Sequence, residues 1–184
     1  MNEYLTYNDV NIVPKYSEIS SRSNVDISTE LCGYELEIPV IASPMESVMD
    51  SNMQAYLTKN GATGAFCRFM SFDHVLGASL TDKNPVIQSI GVDEEPKVEL
   101  IKRHADIILI DVAHGHHKKV RKAIQNIKED TSLSVIAGNI ATPEAAIDLI
   151  KWGADALRVG VGGGSVCTTR MKTGVGVPMI SCIQ

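Results

Sequence analysis

From residue 38 onward the chain alternates short, β-branched apolar runs with stretches of helical periodicity. The runs are IPVIASPM (38–45), ATGAFCR (62–68), VIQSIGV (86–92), DIILIDVA (106–113), LSVIAGNI (133–140) and ALRVGV (156–161), and their starts recur every 20 to 27 residues. Strands apolar along almost their whole length are covered on both faces, and a following amphipathic helix supplies that cover. The pattern predicts a parallel sheet wrapped by helices. In HHKKVRKAIQNIKED, Val120, Ala123, Ile124 and Ile127 fall on one face. TPEAAIDLIKWG carries a set of helix boundary signals: Thr142 to cap, Pro143 in the first turn, Glu144 at the positive end and Gly153 to stop.

A doubly wound sheet and a TIM (β/α)8 barrel both satisfy this alternation, and the polar residues separate them. Ser43, Arg68, Asp111, Asn139 and the loop 162–170 all fall at or just beyond strand C-terminal ends. A barrel collects its chemistry from many strand ends, whereas an open sheet gathers it at one switch point. The spread therefore predicts a TIM barrel, and an incomplete one. Six strand–helix units, the last unfinished, fit between residues 38 and 184, and a barrel needs eight. Residues 1–37, with Pro14 and scattered polar positions, read as an irregular arm with a short hairpin. The whole of 1–184 is expected to be one catalytic barrel domain.

Composition narrows the partners. At 44% hydrophobic and 21% charged the chain can bury a core. Seventeen Lys and Arg against 22 Asp and Glu give a net charge of −5, with no basic block to track a phosphate backbone or an anionic membrane. Nucleic acid and membrane are thus not expected as partners. Apolar runs such as Ile107–Ile110 fall far short of a bilayer span, and the start MNEYLTYND lacks a signal-peptide apolar stretch, so the expected location is the cytoplasm. Cys32, Cys67, Cys167 and Cys182 lie far apart with no C-x-x-C pair, which signals neither a disulfide framework nor a zinc knuckle.

The candidate chemistry is concentrated in GGGSVCTTR, residues 162–170. Glycines 160, 162, 163 and 164 permit positive φ and let backbone N–H groups approach a ligand. Cys167 is followed by Thr168, Thr169 and Arg170: hydroxyls can orient a water or leaving group, and a cation enriches the nucleophilic thiolate. A small buried residue is the usual fate of a free cysteine, and that reading suits Cys67 and Cys32 better. Arg158, inside an apolar strand, calls for a phosphate or carboxylate partner. The run HGHH (114–117) opens a different reading, because histidines one residue apart at a barrel strand end, here His114 and His116, bind zinc in metal-dependent hydrolases.

Taken in order over nearly the whole chain, LTYNDVNIVPKYSEISSRSNVDIST, IASPMESV, DVAHGHH, VIAGNIAT, ALRVGVGGGSVCTTR and TGVGVP resemble inosine-5′-monophosphate (IMP) dehydrogenase and its relative GMP reductase. The resemblance implies that Cys167 attacks C2 of the purine ring and that Thr169 assists activation of water or ammonia. It implies nucleotide contacts at Ser43, Met45, Asn139, Arg158, Gly160, Gly162 and Ser165. Asp111 would accept the cofactor ribose hydroxyls, with Ala113 and His114 beside it in the cofactor segment. The cofactor would be NAD in the dehydrogenase or NADPH in the reductase. The backbone carbonyls of Gly162, Gly164 and Cys167 match those that hold a monovalent cation such as K+ in many dehydrogenases. Gly163 stands where the family commonly has proline, which implies a more flexible loop.

SPMESV, CRFMS and DVAHGH favour the dehydrogenase, which oxidises IMP to xanthosine monophosphate. VIAGN and SVCTTRMKTGVG read comfortably as the reductase, and there is no room after the second strand for the family's regulatory CBS pair. A catalytic barrel tolerates that absence, so the expected activity is NAD-dependent oxidation of IMP, with GMP reductase as the alternative. A non-catalytic nucleotide-binding fragment and a metal-dependent hydrolase stand as alternatives. The resemblance further implies a homo-oligomer, a tetramer, and a complementary C-terminal segment bringing the seventh and eighth strands.

Overall fold

The computed structural model describes residues 4–70, 84–94 and 97–184. An antiparallel hairpin, β1 (Thr29–Leu31) and β2 (Tyr34–Leu36), comes first. Its two-residue turn places Cys32 at φ 52° and Gly33 at φ 87°, the double positive φ that lets a tight turn follow the twist of its strands. Six strands follow: β3 (Ile41–Ala42), β4 (Thr63–Phe66), β5 (Ile87–Ile90), β6 (Ile107–Asp111), β7 (Ser134–Ile140) and β8 (Ala156–Val159). The described α-helices are α1 (Ser51–Lys59), α2 (Val98–Ile101), α3 (Lys118–Asp130), α4 (Pro143–Trp152), α5 (Thr169–Thr173) and α6 (Met179–Ile183).

The six strands pair in chain order, β3 to β8, every pair parallel. A doubly wound sheet would reverse direction at a switch point. This one does not, and it supplies six strands of the expected (β/α)8 barrel. Strand β3 is shorter than the apolar run 38–45 suggests, since Pro39 and Pro44 bracket it and proline has no N–H for the ladder. The segment after β4, where a CBS pair would be inserted, lies mostly in 71–83, outside the described residues.

Two apolar layers hold the sheet. Outside it, Ile108, Ile110, Val135 and Ala137 pack with Val120, Ala123, Ile124 and Ile127 of α3 and with Ala145 and Leu149 of α4. The four α3 residues are those its periodicity selects, and all are buried. Helix α4 starts where Thr142 Oγ1 accepts the Ala145 N–H at 3.2 Å and stops at Gly153, left-handed at φ 107°. Inside, Ala65, Ile87, Ile107, Leu109 and Ile136 meet Leu31, Cys32 and Tyr34 of the hairpin. The expected hairpin therefore covers the inner face of the half-barrel.

Residues 11–30 of the arm are exposed throughout. Its first part is tied to α6: Leu5 N–H donates to Ser181 Oγ at 2.8 Å, and Ser181 N–H donates to the Leu5 carbonyl at 3.3 Å. Among the described residues no helix is long and apolar enough to cross a membrane.

Candidate active site at the strand C-terminal ends

Asp111 ends β6, and the register runs from Asp111 to Gly138 and from Gly138 to Arg158 across three strands. Arg158 Nη1 forms an ion pair with Asp111 Oδ1, both side chains half-buried. The arginine of the apolar strand thus has a carboxylate partner within the protein. Gly138 makes the pairing feasible: a Cβ there would lie 2.5 Å from the Arg158 carbonyl oxygen and 2.7 Å from its Cβ. Arg158, Ser43 and Pro44 line a 210 Å³ cavity whose wall continues into Leu109 and Ile136 of the inner layer. Gly138→Ala should destabilise the fold by roughly 1–3 kcal/mol through overpacking. Thermal unfolding of the variant checks this, and an unchanged midpoint would show that β8 yields freely.

Asn139 ties the neighbouring loops together. Its Nδ2 donates to the Gly160 carbonyl at 2.9 Å, its N–H to Val112 O at 2.8 Å, and its own carbonyl accepts the Gly115 N–H at 2.8 Å. Ala113 and His114 are exposed on the loop that leaves β6. His116 is committed elsewhere: its Nε2 lies 2.9 Å from Asp148 Oδ2 of α4, with the Trp152 ring centroid 5.8 Å away. Among the described residues no group of three or more His, Cys, Asp or Glu could hold a metal ion. The zinc-hydrolase reading of His114 and His116 therefore finds no third ligand there.

The glycine-rich loop begins and ends on an antiparallel bridge between Val161 and Val177, whose N–H donates to the Val161 carbonyl at 3.0 Å. Within it Cys167 N–H donates to the Gly164 carbonyl at 3.1 Å, turning the chain into α5. Cys167 Sγ, half-exposed, lies 3.3 Å from Thr169 Oγ1. The Thr169 hydroxyl first, then its backbone N–H and the Arg170 charge, hold this thiol below its ordinary value. Cys32 is the opposite case: burial, with the Asp155 charge nearby, pushes its thiol up. Cys67 is buried, as its apolar surroundings suggest.

A second cavity, of 410 Å³, lies between this loop and the arm, lined by Gly162, Gly163, Ser165 and Arg170 on one side and Thr6 and Asn8 on the other. The structure therefore divides the expected nucleotide positions. Ser43 and Arg158 share the barrel cavity, Gly162 and Ser165 share the loop cavity, and Cys167 and Thr169 line neither of these two. Met45 is half-exposed rather than core. At Gly163 a Cβ would come within 2.6 Å of Met179 Cγ, so a glycine here gives α6 a seat on the loop. Of the three carbonyls implied for a monovalent cation, that of Gly164 already accepts the Cys167 N–H, which leaves it one lone pair.

Arg68, also at a strand end, lies 4.0 Å from Glu94 and stacks on Phe69 at 4.5 Å. Burial alone would raise the Glu94 carboxyl, but the Gly91 N–H, Lys97 and Arg68 together hold it below its usual range. That cluster satisfies itself. Gly138 and Gly176 went unselected by sequence reasoning; the only signal for either was a glycine beside a strand or loop end.

A parallel half-barrel sheet with a thiol beside a threonine hydroxyl on the loop after its sixth strand has the layout of barrel enzymes that work at the strand C-terminal face. The chain belongs to the IMP dehydrogenase / GMP reductase family, whose domain model matches residues 4–184. It is 37% identical over 182 residues to a GMP reductase of Delftia acidovorans, covering 95% of this chain and 56% of that protein. A GMP reductase of Lactococcus lactis subsp. cremoris is 37% identical over 184 residues, 96% of this chain and 56% of its own length. An inosine-5′-monophosphate dehydrogenase of Borreliella burgdorferi is 33% identical over 239 residues, 98% of this chain and 59% of that protein. The chain thus spans between half and three fifths of the length of these relatives. Family members are oxidoreductases of purine nucleotides.

Proposed function

We propose that this chain carries the nucleophile of a purine-nucleotide oxidoreductase, in which the Cys167 thiolate adds to C2 of a nucleoside monophosphate. The observation that carries this reading is Cys167 Sγ at 3.3 Å from Thr169 Oγ1, beside Arg170, on a glycine-rich loop at the strand C-terminal face. Once Cys167 has added, two outcomes balance. In GMP reduction the 2-amino group leaves as ammonia, C2 gains a hydride and the thiolate is expelled, giving IMP. In IMP oxidation C2 loses its hydrogen as hydride, and water then displaces the thiolate to give xanthosine monophosphate. In this reading Thr169 would hand a proton to, or take one from, the nitrogen or oxygen at C2.

The nicotinamide cofactor, NADPH in the first case and NAD in the second, supplies or accepts the hydride when bound. Asp111, Ala113 and His114 are the residues that would hold it. They fit: the Asp111 carboxylate is half-buried and, with Arg158 on one oxygen, keeps acceptor sites for ribose hydroxyls, while Ala113 and His114 are exposed. A monovalent cation on the carbonyls of Gly162, Gly164 and Cys167 belongs to the same proposal, as do a cytoplasmic location and a homo-oligomeric, tetrameric assembly.

Between the two directions, the two relatives named GMP reductase are 37% identical to this chain against 33% for the dehydrogenase, and we put GMP reduction first. IMP oxidation is the second reading, favoured by SPMESV and DVAHGH. Assaying the chain, together with the last two strand–helix units of a family member, on GMP plus NADPH and on IMP plus NAD decides between them. Turnover of neither, without a cysteine–nucleotide adduct, would return the chain to a nucleotide-binding role.

Asp111→Ala in that assembly should raise the apparent KM for cofactor about 10- to 150-fold, the usual effect of losing a charged hydrogen-bond acceptor, with a much smaller change for the nucleotide. An unchanged cofactor KM would leave Asp111 only as the partner of Arg158.

A further inference from the structure

We propose that Arg170 is the positioning residue of the nucleophile loop: its aliphatic stem is wedged between Gly162 and Gly176 and so holds together the two ends of the segment 161–177. A Cβ built on Gly162 would lie 2.5 Å from Arg170 Cγ, 3.2 Å from its Cδ and 3.5 Å from Gly176 Cα. A Cβ on Gly176 would collide with the same Cγ and come within 2.7 Å of the Cδ. One side chain thus fills the gap that two glycines leave, directly beside the Val161–Val177 bridge. The loop entrance needs glycine for a second reason, because Gly162 is left-handed at φ 69°.

The wedge also connects the loop ends to the chemistry. Arg170 is the second residue of α5, immediately after Thr169, the partner of Cys167. That short helix is closed by Gly174, left-handed at φ 70°, whose N–H donates to the Arg170 carbonyl at 2.9 Å. The stem of Arg170 therefore ties α5 to both loop termini while its carbonyl takes part in closing the helix at Gly174, and Cys167 lies between the termini. Five residues bear little order of their own in so short a helix, so a tertiary anchor is what sets the angle at which Thr169 meets the sulfur. This role of Arg170 rests on the proposed nucleophile only for its catalytic consequence; the wedge itself does not.

The test uses Arg170→Ala, which removes the stem, Arg170→Met, which keeps an unbranched stem without charge, and Gly176→Ala, whose methyl expels the stem. The readout is hydrogen exchange at the Val177 amide. Arg170→Ala and Gly176→Ala are each expected to speed that exchange on the order of tenfold, and Arg170→Met to restore it to within about twofold. In the Arg170→Ala background Gly176→Ala should add nothing, since the space it invades is already vacant. Unchanged Val177 protection in Arg170→Ala, equal exchange in the Met and Ala variants, or additive effects of the two alanines would each overturn the proposal. A loosened loop in a chain whose Cys167 captures no nucleotide would leave the wedge standing and remove the nucleophile. A protected loop alongside normal capture would do the reverse.

Discussion

Replacing Cys167 by alanine should abolish covalent capture of a purine nucleotide and, in the assembly complemented with the last two strand–helix units of a family member, lower turnover by on the order of 10⁴-fold or more, while nucleotide affinity falls only slightly. The separation follows from where the structure puts the groups. Ser43 and Arg158 line the barrel cavity, Gly162 and Ser165 line the loop cavity, and Cys167 lines neither of these two. The sulfur can be deleted without emptying either wall. Mass spectrometry of the chain incubated with a C2-electrophilic purine nucleotide measures the capture, and equilibrium binding measures the affinity. An alanine variant that still forms the adduct would move the chemistry to another residue.

The same thiol should stand out by its reactivity. Alkylation by iodoacetamide requires thiolate, and the thiolate fraction of a group with a lowered pKa is reached at lower pH. Cys167 is lowered, chiefly by the Thr169 hydroxyl, and Cys32 is raised, chiefly by burial. As pH rises, labelling of Cys167 should therefore level off before that of Cys32. Coincident profiles, with no protection by IMP or GMP, would place Cys167 among ordinary thiols.

The strands were legible because most are buried on both faces and so carry almost unbroken apolar runs, as in IILID of β6. Helices α3 and α4 were legible because their boundary residues act locally: Thr142 reaches only three residues ahead, and Gly153 terminates at its own φ. What stayed hidden is what long-range packing creates. Asp111 and Arg158 are 47 residues apart in the chain, and each alone suggests a ligand. Only the register through Gly138 shows that they answer each other first. Likewise GGGSVCTTR displays its glycines openly but not that Arg170 passes between two of the loop's glycines, or that Met179 rests on Gly163. The hairpin turn was faint for a chemical reason: Cys32 holds a left-handed conformation usually given to Asn, Asp or Gly. His116 looked like half of a zinc pair because nothing in HGHH reveals that Asp148, 32 residues on, takes its ring nitrogen.

These 184 residues should give no turnover by themselves and measurable turnover once supplied with the last two strand–helix units of a family barrel. The sheet runs from β3 to β8 in order, and no pairing joins β8 back to β3 among the described residues. Two strand edges therefore present free N–H and C=O groups. Apolar side chains beside them are open as well: Val40 is 47% exposed, Ile41 45% and Val159 40%. On α4, Ile147 and Ile150 are 52% and 59% exposed. Two further units would pair both edges, cover that face and close the 210 Å³ cavity now flanked by β3 and β8. They would also complete the ring of strand ends from which a barrel draws its chemistry. The measurement is the mass and oligomeric state of the purified chain, then its rate on GMP plus NADPH and on IMP plus NAD with and without the added segment. Without it the chain should associate or aggregate through the exposed edges. Robust turnover by a soluble, uncomplemented chain would show that six strand ends suffice.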